Sequence, residues 1–442
     1  MKKTLRVLCW LLIAALVLAA AGAAAESEEQ EPFKADGFTC ILLEDGTAEI
    51  IKYSGSEKEL EIPAELEGKT VTSIADKAFS DRSIKTVSLP DTITHIGQNP
   101  FAYCDNLQTI TVAKDHPYLA TVFGALYSKP DKRLICCPAG YTAAEYQIPQ
   151  GVRIIGAYAF TRRSRLNSVV IPDSVTAIER YAFSECSGMK EITIPGSVTS
   201  IGEFAFSNSA LTEAVIPEGV VSVGYRAFNS CSKLQRITFG DSVKELDGNP
   251  ITGCKKLEEI VVSANHPYLE VRDGVLFTKE DRQLASFPFN SELTEYTVPE
   301  GTEIIGAGAF FGCSKLTDIR LPDSLKKIGK AAFFQCYGLA SAAIPAGVAE
   351  IGETAYYECT SLAQLELPDA LADIGSEAFK SCKSLENVRI PENVTTIGKN
   401  AFNGCSATFQ VAWDSYAEAY CKNSGYKYVY STSTDDLSWL ED

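Results

Sequence analysis

Along most of the chain the apolar positions recur as one phrase of 23 residues, roughly I-P-x-x-V-x-x-I-G-x-x-A-F-x-x-C-x-x-L-x-x-I-x. From its Ile-Pro start it begins at Ile148-Pro149, Ile171-Pro172 and Ile194-Pro195, then one residue early at Ile216-Pro217. It resumes at Val298-Pro299, Leu321-Pro322, Ile344-Pro345, Leu367-Pro368 and Ile390-Pro391. A fixed period of roughly 20 to 30 residues marks a solenoid, in which each coil buries its apolar side against the next. The expected architecture is a β-rich array of stacked coils. The functional question becomes what such a surface binds.

One coil shows how the pattern works. Met189, Ile192 and Ile194 alternate like a half-buried strand, and Pro195 ends it because proline offers no N–H to a ladder. Val198 and Ile201 return to the core from a second short extended segment, and Ala205-Phe206 opens the return leg. Gly202 is expected at a turn that requires positive φ. Equivalent residues of adjacent coils should lie about 4.8 Å apart, with backbone groups paired between coils. The L-x-x-I-x-I strands are expected to form the long inter-coil sheet.

The phrase resembles the BspA-type leucine-rich repeats of bacterial surface and secreted proteins, on residues such as Ile171-Pro172, Val175, Ile178, Ala182-Phe183, Cys186, Met189 and Ile192. The likeness runs over about residues 60 to 430. Glu179 stands where glycine is usual, Tyr356 replaces Phe, and the coil with Ser209-Ala210-Leu211 is one residue short. The resemblance implies a leucine-rich-repeat solenoid and a role in adhesion or contact with host matrix and cell surfaces.

A second, longer period lies above the first. The motif Asn99-Pro100, His116-Pro117-Tyr118-Leu119 and Leu126-Tyr127 returns at Asn249-Pro250, His266-Pro267-Tyr268-Leu269 and Leu276-Phe277. Each copy carries extra length that reads as a β-hairpin, turning near Lys129 to Lys132 and near Lys279 to Asp281. The organisation expected is a signal peptide at 1–25, an N-terminal cap at 26–61, and the solenoid at 62–412. Hairpin-bearing units fall near 112–147 and 262–297, followed by a C-terminal cap at 413–430 and an acidic tail at 431–442. In the last cap, Asp414 to Cys421 reads as an N-capped helix that Gly425 stops, before a final strand at Tyr426 to Tyr430.

Composition adds the compartment. Lys2, Lys3 and Arg6 precede an apolar run from Val7 to Ala20, and Ala23-Ala24-Ala25 meets the acidic Glu26-Ser27-Glu28-Glu29. This is the layout of a cleaved secretory signal. No later stretch is long and apolar enough to suggest a transmembrane segment in the mature chain, so a secreted or cell-surface location is expected. With 40 Lys+Arg against 57 Asp+Glu the formal charge is −17, which repels phosphate backbones and argues against nucleic acid as a partner.

Candidate chemistry is sparse. Cys104, Cys186, Cys231, Cys254, Cys313, Cys336, Cys359, Cys382 and Cys405 share one repeat position. Their Cβ atoms should stay near 4.8 Å apart, against ~3.8 Å in a disulfide, so they read as buried, reduced small hydrophobes. A line of thiols without histidine partners does not converge on zinc, and no cofactor is expected. Cys136-Cys137 corresponds to Ser286-Phe287 in the duplicate, and His116 and His266 read as turn residues beside proline. No nucleophile motif appears, so no enzyme activity is expected. What remains is the outward face of the strands, with Arg236, Thr238, Asp318, Arg320, Gln364, Glu366, Asn387 and Arg389 as the candidate protein-binding residues. The expected partner is a protein or surface glycan. The alternatives are an envelope-associated spacer without a specific ligand and an accessory subunit of an exported enzyme.

Overall fold

The computed structural model describes residues 31–431; the segment read as a signal peptide and the tail beyond Ser431 lie outside the described residues. Each regular coil contributes two short strands and a turn-rich return leg. Ser168–Val170, Ala177–Ile178 and the leg carrying Phe183 are one example.

The long sheet is not the expected one. The two-residue strands that end in the phrase's Ile-Gly form it: Ile154–Ile155, Ala177–Ile178, Ser200–Ile201, Ser222–Val223 and Glu245–Leu246 pair in parallel and in register. A second run continues from Ile304–Ile305 through Lys327–Ile328, Glu350–Ile351 and Asp373–Ile374 to Thr396–Ile397. The L-x-x-I-x-I strands instead form ladders of two or three. Around residues 191–194 their ladder lapses, flanked by N···O distances of 3.3 Å from Lys190 to Asn167 and 3.4 Å from Thr212 to Lys190. The coil that follows this lapse is the one that is a residue short.

The reason for the phrase's glycine also differs from expectation. Gly202 does not adopt positive φ. A Cβ there would stand 2.4 Å from the Arg180 backbone nitrogen, and one on Gly398 would stand 2.2 Å from that of Ser376. Glycine therefore lets neighbouring backbones close up where the long sheet runs, and the Gly202 N–H donates to the Ile178 carbonyl at 2.7 Å. Glu179 takes the same place one coil earlier, its carboxylate accepting from the Ala157 N–H at 3.0 Å. The left-handed residues come later in the leg, at Tyr181 (φ 57°) and Glu185 (φ 60°), then at Phe204 (φ 53°) and Asn208 (φ 55°).

Inside, the Phe of each phrase stacks on the next. Phe160, Phe183, Phe206 and Phe228 are fully buried with centroids 5.0 to 5.3 Å apart, and Phe310, Phe333, Tyr356, Phe379 and Phe402 repeat the column. Dispersion between parallel rings and removal of apolar area from water both favour this arrangement.

Both hairpin units lie in the sheet rather than projecting from it, and each has one more strand than the sequence suggested. Leu119–Val122, Ala125–Ser128 and Arg133–Cys136 form an antiparallel meander whose last strand pairs in parallel with Ile154–Ile155. Leu269–Arg272, Val275–Thr278 and Gln283–Ser286 repeat it. Phe33–Ala35, Phe38–Leu42 and Ala48–Tyr53 form the same meander at the start, and the last of these strands already pairs with Lys69–Ile74. The unrecognised turns are Asp36-Gly37, Phe123-Gly124 and Asp273-Gly274, with both residues at positive φ, the requirement of a type I′ hairpin.

The internal meanders are walls between cores. Leu126, Ile135 and Cys136 pack with the preceding core, whereas Ala125, Tyr127, Leu134 and Cys137 pack with the following one. At the far end, helix α1 (Tyr416–Ser424) has Ser415 as N-cap and Gly425 in the left-handed conformation as C-cap. Tyr428–Tyr430 then pairs with Thr408–Val411. Among the described residues no helix is long and apolar enough to cross a membrane.

Candidate interaction surfaces

The outward strand positions fall on separate ladders. Arg236 and Thr238 belong to the ladder of Glu213–Ile216, Arg236–Phe239 and Glu259–Val261, ahead of the second meander. Asp318 and Arg320 pair with Glu295–Thr297. Gln364 and Glu366 pair with Ser341–Ala343, and Asn387 and Arg389 pair with Thr408–Val411. The structure thus brings Gln364, Glu366, Asn387 and Arg389 onto adjacent coils, all exposed, and keeps Arg236 and Thr238 away from them. Several charges are answered within the face. Arg236 meets Glu259 at 3.3 Å, Arg320 meets Asp318 at 4.0 Å, and Arg389 meets Asp369 at 2.8 Å.

Two further surfaces were not foreseen. One is a shallow trough of about 890 Å³ along the long sheet, flanked by Glu179, Glu203, Glu245 and Asp247 and closed by the second hairpin tip at Glu280-Asp281. The other is a notch of about 830 Å³ beside the first meander, lined by Asp105, Gly140, Tyr141 and a run of arginines, Arg162, Arg163 and Arg165. A signal for the notch did exist. Arg163 occupies the repeat position that cysteine holds in most coils.

A family model for the BspA type leucine rich repeat region matches six copies, over residues 49–122, 145–271 and 285–408. The chain belongs to the BspA-type leucine-rich repeat family. The unmatched gaps at 123–144 and 272–284 overlap the two internal meanders, where the sheet of this BspA-type array turns antiparallel. It is similar to a leucine-rich cell surface protein of Faecalibacterium prausnitzii, with 27% identity, a TM-score of 0.54, and coverage of 89% of this chain and 98% of that one. A leucine-rich repeat protein of Eubacterium ventriosum is 23% identical over 60% of this chain and 89% of its own, with a TM-score of 0.40. The pneumococcal vaccine antigen PcpA is 18% identical over 91% and 98%, with a TM-score of 0.46. Comparison with curated proteins returns no match.

Most of the row cysteines of this BspA-type solenoid, and the histidines His116 and His266, are engaged in holding it together. All the described cysteines are free thiols, buried except for the half-buried Cys405. Cys186 donates to the Phe160 carbonyl at 3.0 Å, and Cys336, Cys359 and Cys382 repeat the bond to Phe310, Phe333 and Tyr356 at 3.1 Å. The thiol thereby pairs with a carbonyl of the preceding coil, which explains why the position favours cysteine over alanine. Burial pushes Cys186, Cys313 and Cys359 up to about 12, so they are not nucleophiles at neutral pH.

His116 and His266 are buried pegs. His116 Nδ1 accepts from the Tyr118 and Leu119 N–H groups at 3.1 Å, while Nε2 donates to the Pro90 carbonyl at 3.2 Å. His266 repeats this set with Tyr268, Leu269 and Gly240. Both ring nitrogens are committed to the backbone, a tautomer assignment that follows from the bonds. Among the described residues no group of three His, Cys, Asp or Glu side chains could hold a metal ion.

Proposed function

We propose that the protein is an exported, non-catalytic scaffold that binds another macromolecule at a cell surface, with a protein partner docking on the outward strand face of the C-terminal coils. One observation carries this reading. Gln364, Glu366, Asn387 and Arg389 are exposed on adjacent coils and all face the same way, a repeated polar row that suits recognition of an extended partner. The likeness to a cell surface protein supports the location, and the engaged thiols and histidines support the absence of catalysis. Asp318 and Arg320 extend the row, while Arg236 and Thr238 would contact the partner only if it spans the second meander.

The test is binding of the chain from Glu26 onward to immobilised extracellular matrix proteins, beside a variant carrying Glu366→Lys and Arg389→Glu. Saturable binding that falls roughly tenfold or more in the variant is expected, as for loss of complementary charge at an interface. No saturable binding to any matrix protein overturns the adhesive reading. The second reading, a spacer of the envelope without a ligand, draws on the ion pairs inside the face, which satisfy its charges with no partner present. A spacer would stay with the cell fraction until salt extracts it, whereas a diffusible binder would be found in the medium.

A further inference from the structure

The arginine notch exists because one return leg is short. Leu134 stacks on Ile155 and Tyr146 on Val169, so the path from Leu134 to Tyr146 is two residues shorter than the path beneath it. The shortened leg does not reach the outer corner. There the coil before the meander meets the coil after it directly: Asn99 Nδ2 donates to the Tyr158 carbonyl at 2.7 Å, and Arg180 bonds Gln98 Oε1 at 2.8 and 3.0 Å. The notch is lined further along the same coils, by residues that include Asp105, Gly140 and Arg163.

Its electrostatics are unusual for the array. Arg162 is engaged twice, with Glu185 Oε2 at 3.0 Å and Asp105 Oδ2 at 3.3 Å, and its guanidinium lies 4.5 Å from the Tyr103 ring centre. Arg163 replaces the ladder cysteine, and its side chain is only 10% exposed. Its Nε donates to the Thr161 carbonyl at 3.0 Å, and its nearest carboxylate is Asp105 at 3.9 Å. A nearly buried guanidinium with one close bond and a distant counter-charge is costly unless an anion approaches it. The remaining lining mixes hydroxyl and amide groups, from Asn106, Gln108, Thr142 and Ser187, with an apolar patch of Tyr141, Ala139 and Leu166.

The duplicate half provides an internal comparison. At 150 residues further on, Ala139 becomes Phe289, Gly140 becomes Asn290, Arg162 becomes Gly312 and Arg163 becomes Cys313. Phe289 lies so close over Gly312 that a Cβ there would meet its ring at 2.6 Å, and Asn290 Nδ2 donates to the Leu257 carbonyl at 3.0 Å. The same backbone is filled in one copy and open and basic in the other.

The geometry points to a binding site in the first-copy notch for an acidic sugar residue of a polysaccharide, its carboxylate held by Arg163 and its hydroxyls by the polar lining. Hydroxyl and amide groups around the arginines suit the hydroxyls of a sugar, the apolar patch of Tyr141, Ala139 and Leu166 can take its ring face, and a guanidinium fork matches a planar carboxylate. This site is independent of the strand-face reading above.

The test titrates the chain from Glu26 onward with a galacturonate trimer, its neutral methyl ester, a sialylated trisaccharide, inorganic phosphate, and a short peptide with a free C-terminal carboxylate. Two variants reproduce what the duplicate half already carries, Arg163→Cys, and Ala139→Phe made together with Arg162→Gly, since Phe289 lies over Gly312. The expected result is saturable binding of at least one acidic sugar, weaker by about tenfold or more for the ester and for both variants, with unchanged melting temperatures. The inference is overturned if neither acidic sugar binds, if the ester binds equally, or if both variants retain full affinity. Equal competition by phosphate, or binding of the peptide alone, also overturns it.

Discussion

At the scale of the residue, each phrase position is explained by a contact with the neighbouring coil. In most coils the cysteine is a donor to the carbonyl of the preceding coil, and burial holds Cys186, Cys313 and Cys359 neutral up to about 12. Unfolded, the same thiols ionise near their ordinary value of 9.0, so above that pH the unfolded chain binds fewer protons than the fold. Stability must then fall as pH rises from about 9 toward 12, by about 1.4 kcal/mol per pH unit for each such thiol. Urea unfolding under reducing conditions at pH 8 and pH 10.5 measures this. Thiol labelling of the native protein at pH 8 should mark Cys405 first, as the half-buried member of the row, and reach the others only in denaturant. Gly202→Ala should cost about 1–3 kcal/mol through overpacking, seen as a lowered urea midpoint, since the added methyl meets backbone at 2.4 Å. The period of these glycines was legible in the sequence, but their cause was not. A turn at positive φ and a close approach both select glycine, and one sequence cannot separate them.

At the scale of the element, the meander is the unit that the sequence revealed only in part. Its second turn was readable around Lys129 to Lys132. Its first went unread in every copy, although Asp36-Gly37 and Asp273-Gly274 carry the Asp-Gly signal that Phe123-Gly124 lacks. Phe123 has φ 49° and is 66% exposed, so it pays the left-handed penalty without packing in return. Phe123→Asp, the residue of the equivalent turns, should therefore raise stability by about 1 kcal/mol, readable as a higher melting temperature. The C-terminal helix and its stop at Gly425 were legible from local signals, and the structure places the N-cap at Ser415 rather than Asp414. Ser415→Ala should cost about 1 kcal/mol, since the Ser415 hydroxyl accepts from the Glu418 N–H at 3.1 Å. Arg163 at the cysteine position was the one sign of the notch in the sequence, and its shape was not legible. It depends on a leg shortened by two residues, which brings Asp105, Gly140 and Arg163 together from three different coils.

At the scale of the whole molecule, three large cores follow one another among the described residues, each opening on an antiparallel meander, with a small cluster of Ala102, Ala157 and Tyr158 beside them. A fragment starting at His266 carries its own meander and should unfold cooperatively in urea, whereas one starting at Val298 exposes its first coil and should not. Circular dichroism of the two fragments decides the matter. Fold and period were legible because the same apolar phrase repeats with little variation, and the outward residues were legible from alternation alone. Their grouping was not, since it depends on where the L-x-x-I-x-I ladders break.

The parallel ladders have a mechanical consequence. Their hydrogen bonds run from coil to coil along the stack, so a force that pulls the two ends apart loads them in series rather than in shear. The array should then yield by peeling, one coil at a time from whichever end gives way. Each 23-residue coil would release roughly 80 Å of chain. The meanders, where antiparallel strands join two cores, would be the points at which that yielding pauses.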